Sequence, residues 1–154
     1  MAIFHLSFKV LTRTTKTGKS KSSLYLAAYN SREKLKDELT GLTFDYTKKN
    51  DLYKSGIILP EEAPRSFYDR ATLWGSCEKI EKRRDSQICR YFIVSLCKEL
   101  NAEQNEELLK KYLKQNFIKL GMCADYAIHD INGKPHAHVM LTMRKCENGG
   151  FSKK

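Results

Sequence analysis

Hydrophobic and polar positions alternate over residues 2–10. Phe4, Leu6, Phe8 and Val10 would line one face and Ile3, His5, Ser7 and Lys9 the other, as in a half-buried strand. The same period of two returns over 86–96, where Phe92, Val94 and Leu96 oppose Tyr91, Ile93 and Ser95, and over 123–129 and 136–143. An apolar run over 54–60 reads as a further strand stopped by Pro60. Helical spacing takes over in three places. The first helix runs over 22–39, with Ser22 or Ser23 as N-cap and Tyr25 and Tyr29 on one face. The second follows Pro64 to about 83, with Phe67, Ala71, Trp74 and Ile80 recurring. The third covers 101–120, where Asn101 and Gln104 resemble a capping box and Gly121 is a natural stop. Its apolar side would be Leu108, Leu109, Tyr112, Leu113, Phe117 and Leu120. Between these, 12–19 reads as a mobile basic loop, and 41–50 as a polar turn region with a short strand around 44–46.

Strands and helices in this order predict an α+β domain over 1–154: an antiparallel sheet of about five strands with helices on one face. The apolar strand faces need that cover. The other faces carry histidine, tyrosine and lysine and would form an open working face.

Three of the four histidines fall within ten positions, at His129, His136 and His138. Strand alternation puts His136 and His138 on the same side, opposite Ala137, Val139 and Leu141. Asn132-Gly133 is a turn signal that would fold the preceding strand back and bring His129 alongside. Three neutral imidazoles that leave coordination positions open describe a catalytic rather than a structural metal site. Asp85 and Asp130 are candidates to orient the imidazoles.

A net charge of +10 points to a polyphosphate partner, nucleic acid first. Five scattered cysteines without a Cys-x-x-Cys pair argue against a zinc knuckle and against a disulfide framework. Neither a signal peptide nor about 18 consecutive apolar residues is present, so the expected location is the cytoplasm and no membrane partner is expected. No Walker-type glycine-rich loop calls for a nucleotide.

Three segments together carry a family resemblance: Ile3-Phe4-His5-Leu6-Ser7-Phe8-Lys9, Ala27-Ala28-Tyr29-Asn30-Ser31-Arg32-Glu33, and Ala127-Ile128-His129 leading to Pro135-His136-Ala137-His138-Val139-Met140-Leu141-Thr142. With Gly56-Ile57-Ile58-Leu59-Pro60, Leu73-Trp74 and Glu81-Lys82-Arg83-Arg84-Asp85-Ser86-Gln87 between them, the chain resembles the MobA/MobL (MobQ-class) plasmid relaxases of the HUH single-strand endonuclease group. The resemblance implies a palm or RRM-like sheet fold in a bacterial cytoplasmic protein. It implies site- and strand-specific nicking of single-stranded DNA at a plasmid origin of transfer through a 5′-phosphotyrosine, with later rejoining. It puts the nucleophile on Tyr29, with Tyr25 one turn earlier as the alternative, and the metal on His129, His136 and His138. The cofactor would be one divalent ion (Mg, Mn, Zn or Ni), without a nucleotide, and the partners origin DNA and accessory relaxosome proteins. His5, Lys9, Arg32 and Asp85 would support the site or contact DNA.

Two departures stand out. Many relatives carry acidic residues where this chain has Tyr91 and Ile93, with Cys97 in place of a proline, which implies reduced or differently assisted activity. Relatives also often continue beyond the equivalent of Gly149-Gly150-Phe151, which leaves open whether the chain is a fragment. The rival from another class is a non-catalytic single-strand-binding module on the same fold, stacking bases on strand tyrosines.

Overall fold

The computed structural model describes residues 6–153. In chain order the elements are β1 (Leu6–Thr12), α1 (Ser23–Ser31), β2 (Lys34–Lys36), β3 (Thr43–Asp45), β4 (Leu52–Ile58), α2 (Arg70–Ile80), β5 (Gln87–Ser95), α3 (Ala102–Asn116), β6 (Ala124–His129), β7 (His136–Thr142), β8 (Cys146–Glu147) and β9 (Gly150–Phe151). Five strands form one antiparallel sheet in the order β1-β5-β7-β6-β4, which is the expected α+β class. Among the described residues, no helix is long and apolar enough to cross a membrane.

The helices do not share one face, and this corrects the expected layering. Asp125 and Tyr126 are consecutive on β6 and therefore point to opposite sides. Asp125 is held by Arg70 and Trp74 of α2, at 2.8 Å from each, whereas the Tyr126 hydroxyl donates to Glu106 of α3 at 2.9 Å. One apolar cluster sits under α3 and contains Phe92, Val94, Leu109, Leu113, Ile128, Val139 and Leu141. The other lies under α1 and α2 and contains Leu24, Ala27, Ala28, Trp74, Cys89 and Met140. The histidine face is thus roofed over part of its area. The sheet's near-continuous burial is the cause: β6 is buried at every position, so both of its faces need a cover.

α1 also ends well before residue 39. Arg32 takes a left-handed backbone at φ 57° and its N–H returns to the Ala28 carbonyl, closing the helix. Lys34–Lys36 then leave the helical path to pair with Thr43–Asp45 in a small hairpin that buries Leu35. The 12–19 segment is likewise less open than expected, because Thr14 bridges Ser20 and Gly18 closes the turn.

The expected apolar faces hold in part. On the edge strand β1, Phe8 stacks on buried Phe92 at 4.6 Å between ring centroids, yet stays 49% exposed. Leu108 and Leu120, expected on the apolar side of the third helix, are exposed, while Leu109 and Leu113 are buried. The capping box at Asn101 and Gln104 is present. Gly56 is required where it stands, because a Cβ would lie 2.8 Å from the Tyr126 hydroxyl that crosses it.

Candidate active site

His129 and His136 are direct cross-strand partners, and His138 lies two pairs further along β7 on the same face. Their donor nitrogens lie within 4.8 Å of one another, and the ring centroids are 4.6–5.5 Å apart. His129 is fully buried, while His136 and His138 are partly exposed. One nitrogen is already committed on two of the rings. A carbonyl can only accept, so the His136 Nδ1–H donates to the Lys134 carbonyl (2.8 Å) and the His129 Nε2–H to the Asn30 carbonyl (2.6 Å). These bonds fix the tautomers and leave the His136 Nε2 lone pair free, whereas the His129 Nδ1 lone pair faces the Arg32 guanidinium 3.5 Å away. Burial, followed by the neighbouring His129 and His136, holds the His138 pKa down at about 3, and burial lowers His129 as well. Both of these rings are therefore neutral at pH 7. A set of converging imidazoles fits a divalent ion of borderline hardness.

The last turn of α1 locks onto this cluster. Asn30 supplies the carbonyl to His129, and Arg32 approaches the other ring nitrogen with Nη2 3.5 Å from Nδ1. The Arg32 guanidinium forks onto Asp51 through Nε–Oδ1 at 2.8 Å and Nη2–Oδ2 at 2.9 Å. Arg32 also donates to the Tyr29 carbonyl at 2.5 Å and lies 4.6 Å from the centre of the Tyr29 ring. Its hydrogen bonds and charge push the Asp51 carboxyl down to about 2. Lys49 stands 5.3 Å from the Tyr29 ring centre, and Tyr46 meets that ring edge-on at 5.2 Å.

Of the residues singled out from sequence, His129, His136, His138, Arg32 and Tyr29 come together as one connected group. Tyr25 lies one turn back, edge-on to Phe44 at 5.5 Å and to Tyr46 at 5.9 Å. Lys9 is exposed on the histidine face, opposite Tyr91. His5 lies outside the described residues. Asp85 is not brought to the imidazoles it was expected to orient: it is exposed and, among the described residues, its ion pair is with Arg83 two residues away, at 3.1 Å. Nor is Asp130, since its carboxylate accepts the Lys134 N–H and shapes the β6–β7 turn. Sequence reasoning missed Asp51, the Asn30 carbonyl and Lys49. No local pattern marks any of them, since they reach the site only through folding.

The carboxylate looked for on β5 is absent, with Ile93 lying directly opposite His138. Asp51, just before β4, is the acid that the fold brings near instead.

Comparison with known proteins identifies relatives of this chain. The family model described as MobA/MobL family matches residues 21–154. A conjugal transfer protein TraA of Agrobacterium fabrum is 34% identical over all of this chain, which spans 14% of that relative's length. A probable mobilization protein MobA of Bifidobacterium longum is 32% identical over 99% of the chain and 27% of its own length. Mobilization protein MobL of Acidithiobacillus ferridurans is 37% identical over 84% of the chain and 32% of its own length. A solved structure described as the molecular basis of vancomycin resistance transfer in Staphylococcus aureus superposes with a TM-score of 0.89 at 32% identity, covering 99% of this chain and 77% of that one.

Proposed function

The chain belongs to the MobA/MobL family, and from that premise we propose that it is the nicking domain of a plasmid mobilisation relaxase, acting on single-stranded DNA at an origin of transfer. The observation that carries this reading is the junction of two elements: the α1 segment from Tyr29 through Asn30 to Arg32 is tied to His129 by a hydrogen bond to one ring nitrogen and a guanidinium at the other.

Tyr29 is the nucleophile in this reading. Its Oη forms a bond to the scissile phosphorus as the bond from phosphorus to the 3′ oxygen breaks; the phenol gives up its proton and the leaving 3′ oxygen gains one. The 5′-phosphotyrosine keeps the phosphodiester's energy, so the reverse attack by a 3′ hydroxyl reseals the strand without a nucleotide.

A phenol is a weaker nucleophile than its phenolate, so charge at the phosphate must be offset and the attack held in line. His129, His136 and His138 would hold one divalent ion (Mg, Mn, Zn or Ni), which when bound supplies Lewis-acid stabilisation of the phosphate's non-bridging oxygens. Arg32 acts by position. Its fork on Asp51 holds the guanidinium against both Tyr29 and His129, so that ring and imidazole keep a fixed relation. Lys49 adds positive charge over the phenol.

Incubation with single-stranded origin-region DNA and a divalent metal tests the reading. The expected product is a denaturation-resistant protein–DNA adduct. Binding without an adduct under any metal would favour the non-catalytic single-strand-binding module.

A further inference from the structure

One turn before Tyr29, and separate from the histidines, a cavity of about 480 Å³ opens between α1, the β2–β3 hairpin and β5. Its apolar walls combine three aromatic rings, Tyr25 from α1, Phe44 from β3 and Tyr91 from β5, with Leu11, Leu26 and Leu42. Its polar fringe is Lys21, Asp37 and Thr40. We infer that this cavity receives an unstacked nucleobase of the strand whose phosphate lies at Tyr29, an inference that rests on the single-strand DNA reading above.

Three observations converge on a base. The first is shape and chemistry, since a volume in the small-ligand range lined by three aromatic rings and three leucines suits a flat heteroaromatic guest. Tyr25 is 47% exposed, although its ring is steadied edge-on by Phe44 and Tyr46, so it offers a stacking surface already held in place. The second is the polar fringe. Asp37 is 3% exposed and accepts the Leu39 N–H at 3.0 Å and the Ser22 hydroxyl at 3.3 Å. Each carboxylate oxygen keeps accepting capacity, which suits a ring N–H or an exocyclic amino group. Lys21 makes no ion pair among the described residues, and with the exposed Lys16 and Lys19 of the same loop it gives the rim the sign a sugar–phosphate backbone needs.

The third is position. Tyr25 and Tyr29 are four residues apart on one helix, about 6 Å along its axis. Tyr46 touches both, at 5.9 Å and 5.2 Å. The pocket and the proposed nucleophile are thus joined by a single ring, and one extended nucleotide step spans the gap. A single strand presents such a base without the unpairing and unstacking cost that a duplex imposes.

The test uses the Tyr29→Phe protein, so that nicking does not interfere, and two fluorescein-labelled 12-mers read by anisotropy. One carries all four bases and the other is a fully abasic deoxyribose-phosphate strand. The base-bearing strand should bind roughly tenfold tighter or better. Tyr25→Leu and Tyr91→Leu should each erase most of that preference while leaving affinity for the abasic strand alone. Should Tyr91→Leu fail to fold, the exposed Tyr25 decides. Equal affinities for the two strands, or a preference untouched by Tyr25→Leu, would overturn the pocket and leave the relaxase reading standing. If neither strand bound, both would fall together. Photocrosslinking of a 5-iodouracil strand should map to Tyr25, Phe44 or Tyr91, and crosslinks confined to other residues would count equally against the pocket.

Discussion

Arg32 and Asp51 form a two-pronged ion pair, 2.8 and 2.9 Å, in which the guanidinium is almost entirely buried and the carboxylate is 42% exposed. The same guanidinium donates to the Tyr29 carbonyl and reaches His129. The pair joins the end of α1 to the start of β4 and holds tyrosine and histidine in one frame. Lysine cannot reproduce that fork. Arg32→Lys should slow adduct formation by about tenfold or more and lower stability, since the buried guanidinium's bonds to Tyr29 and to both Asp51 oxygens are lost together. A comparison of single-turnover rates and thermal melts checks this, and an unchanged rate would remove Arg32 from the positioning role.

The two tyrosines of α1 separate by chemistry. Tyr29→Phe removes one oxygen, so DNA and metal binding should persist while the covalent adduct disappears. Tyr25→Phe keeps its ring and should still form the adduct. A denaturing gel with labelled origin strand distinguishes them, and the opposite pattern would move the nucleophile to Tyr25.

Loss of an imidazole should be felt in metal affinity before stability at the partly exposed positions. His136→Ala and His138→Ala should each weaken divalent-ion binding by at least about tenfold. Titration calorimetry of the metal alone reads this without DNA. Excess chelator should abolish the adduct and added metal restore it.

Glu106 is a test of fold stability independent of the site. Its carboxylate is 7% exposed and receives Tyr126, Lys54 and Lys110. Burial raises its pKa, but the hydrogen bonds from Tyr126, Lys110 and Lys54 outweigh burial, so the folded value lies below the ordinary 4.5. With the folded pKa depressed, the stabilisation is complete above about pH 5 and is lost as pH falls through the folded value. Glu106→Gln should cost roughly 1–3 kcal/mol at pH 7, and the difference from wild type should shrink near pH 3. Urea unfolding at the two pH values measures it.

Single-strand affinity should fall steeply with salt, because a chain of net charge +10 that contacts several phosphates releases counterions on binding. Titrations from low to physiological ionic strength should give a clearly negative slope of log affinity against log salt. A flat line would contradict phosphate contact.

Local periodicity accounts for what the sequence makes legible. Side chains two apart on a strand must share a face whatever the rest of the chain does, so the pairing of His136 with His138 is legible, as is the turn that adds His129. The segregation of β5, with Phe92 and Val94 opposite Tyr91 and Ile93, follows from the same rule, and the capping box at Asn101 is a local hydrogen-bond pattern. The end of α1 is not legible. Arg32 adopts a left-handed backbone that glycine or asparagine usually signals, and residues 34–36 leave the helix for a partner strand that arrives later in the chain.

The sequence by itself thus determined the class of the sheet, the shared face of the histidines and the residues that carry the family pattern, all consequences of spacing along a single segment. Only the tertiary structure decided that helices cover both faces, that Asp51 rather than Asp85 or Asp130 supplies the nearby carboxylate, and that Asn30 and Arg32 grip the two nitrogens of His129. The reason is that these contacts join residues 19 to 99 positions apart. Their geometry depends on how whole elements pack, and no pattern within one element encodes it.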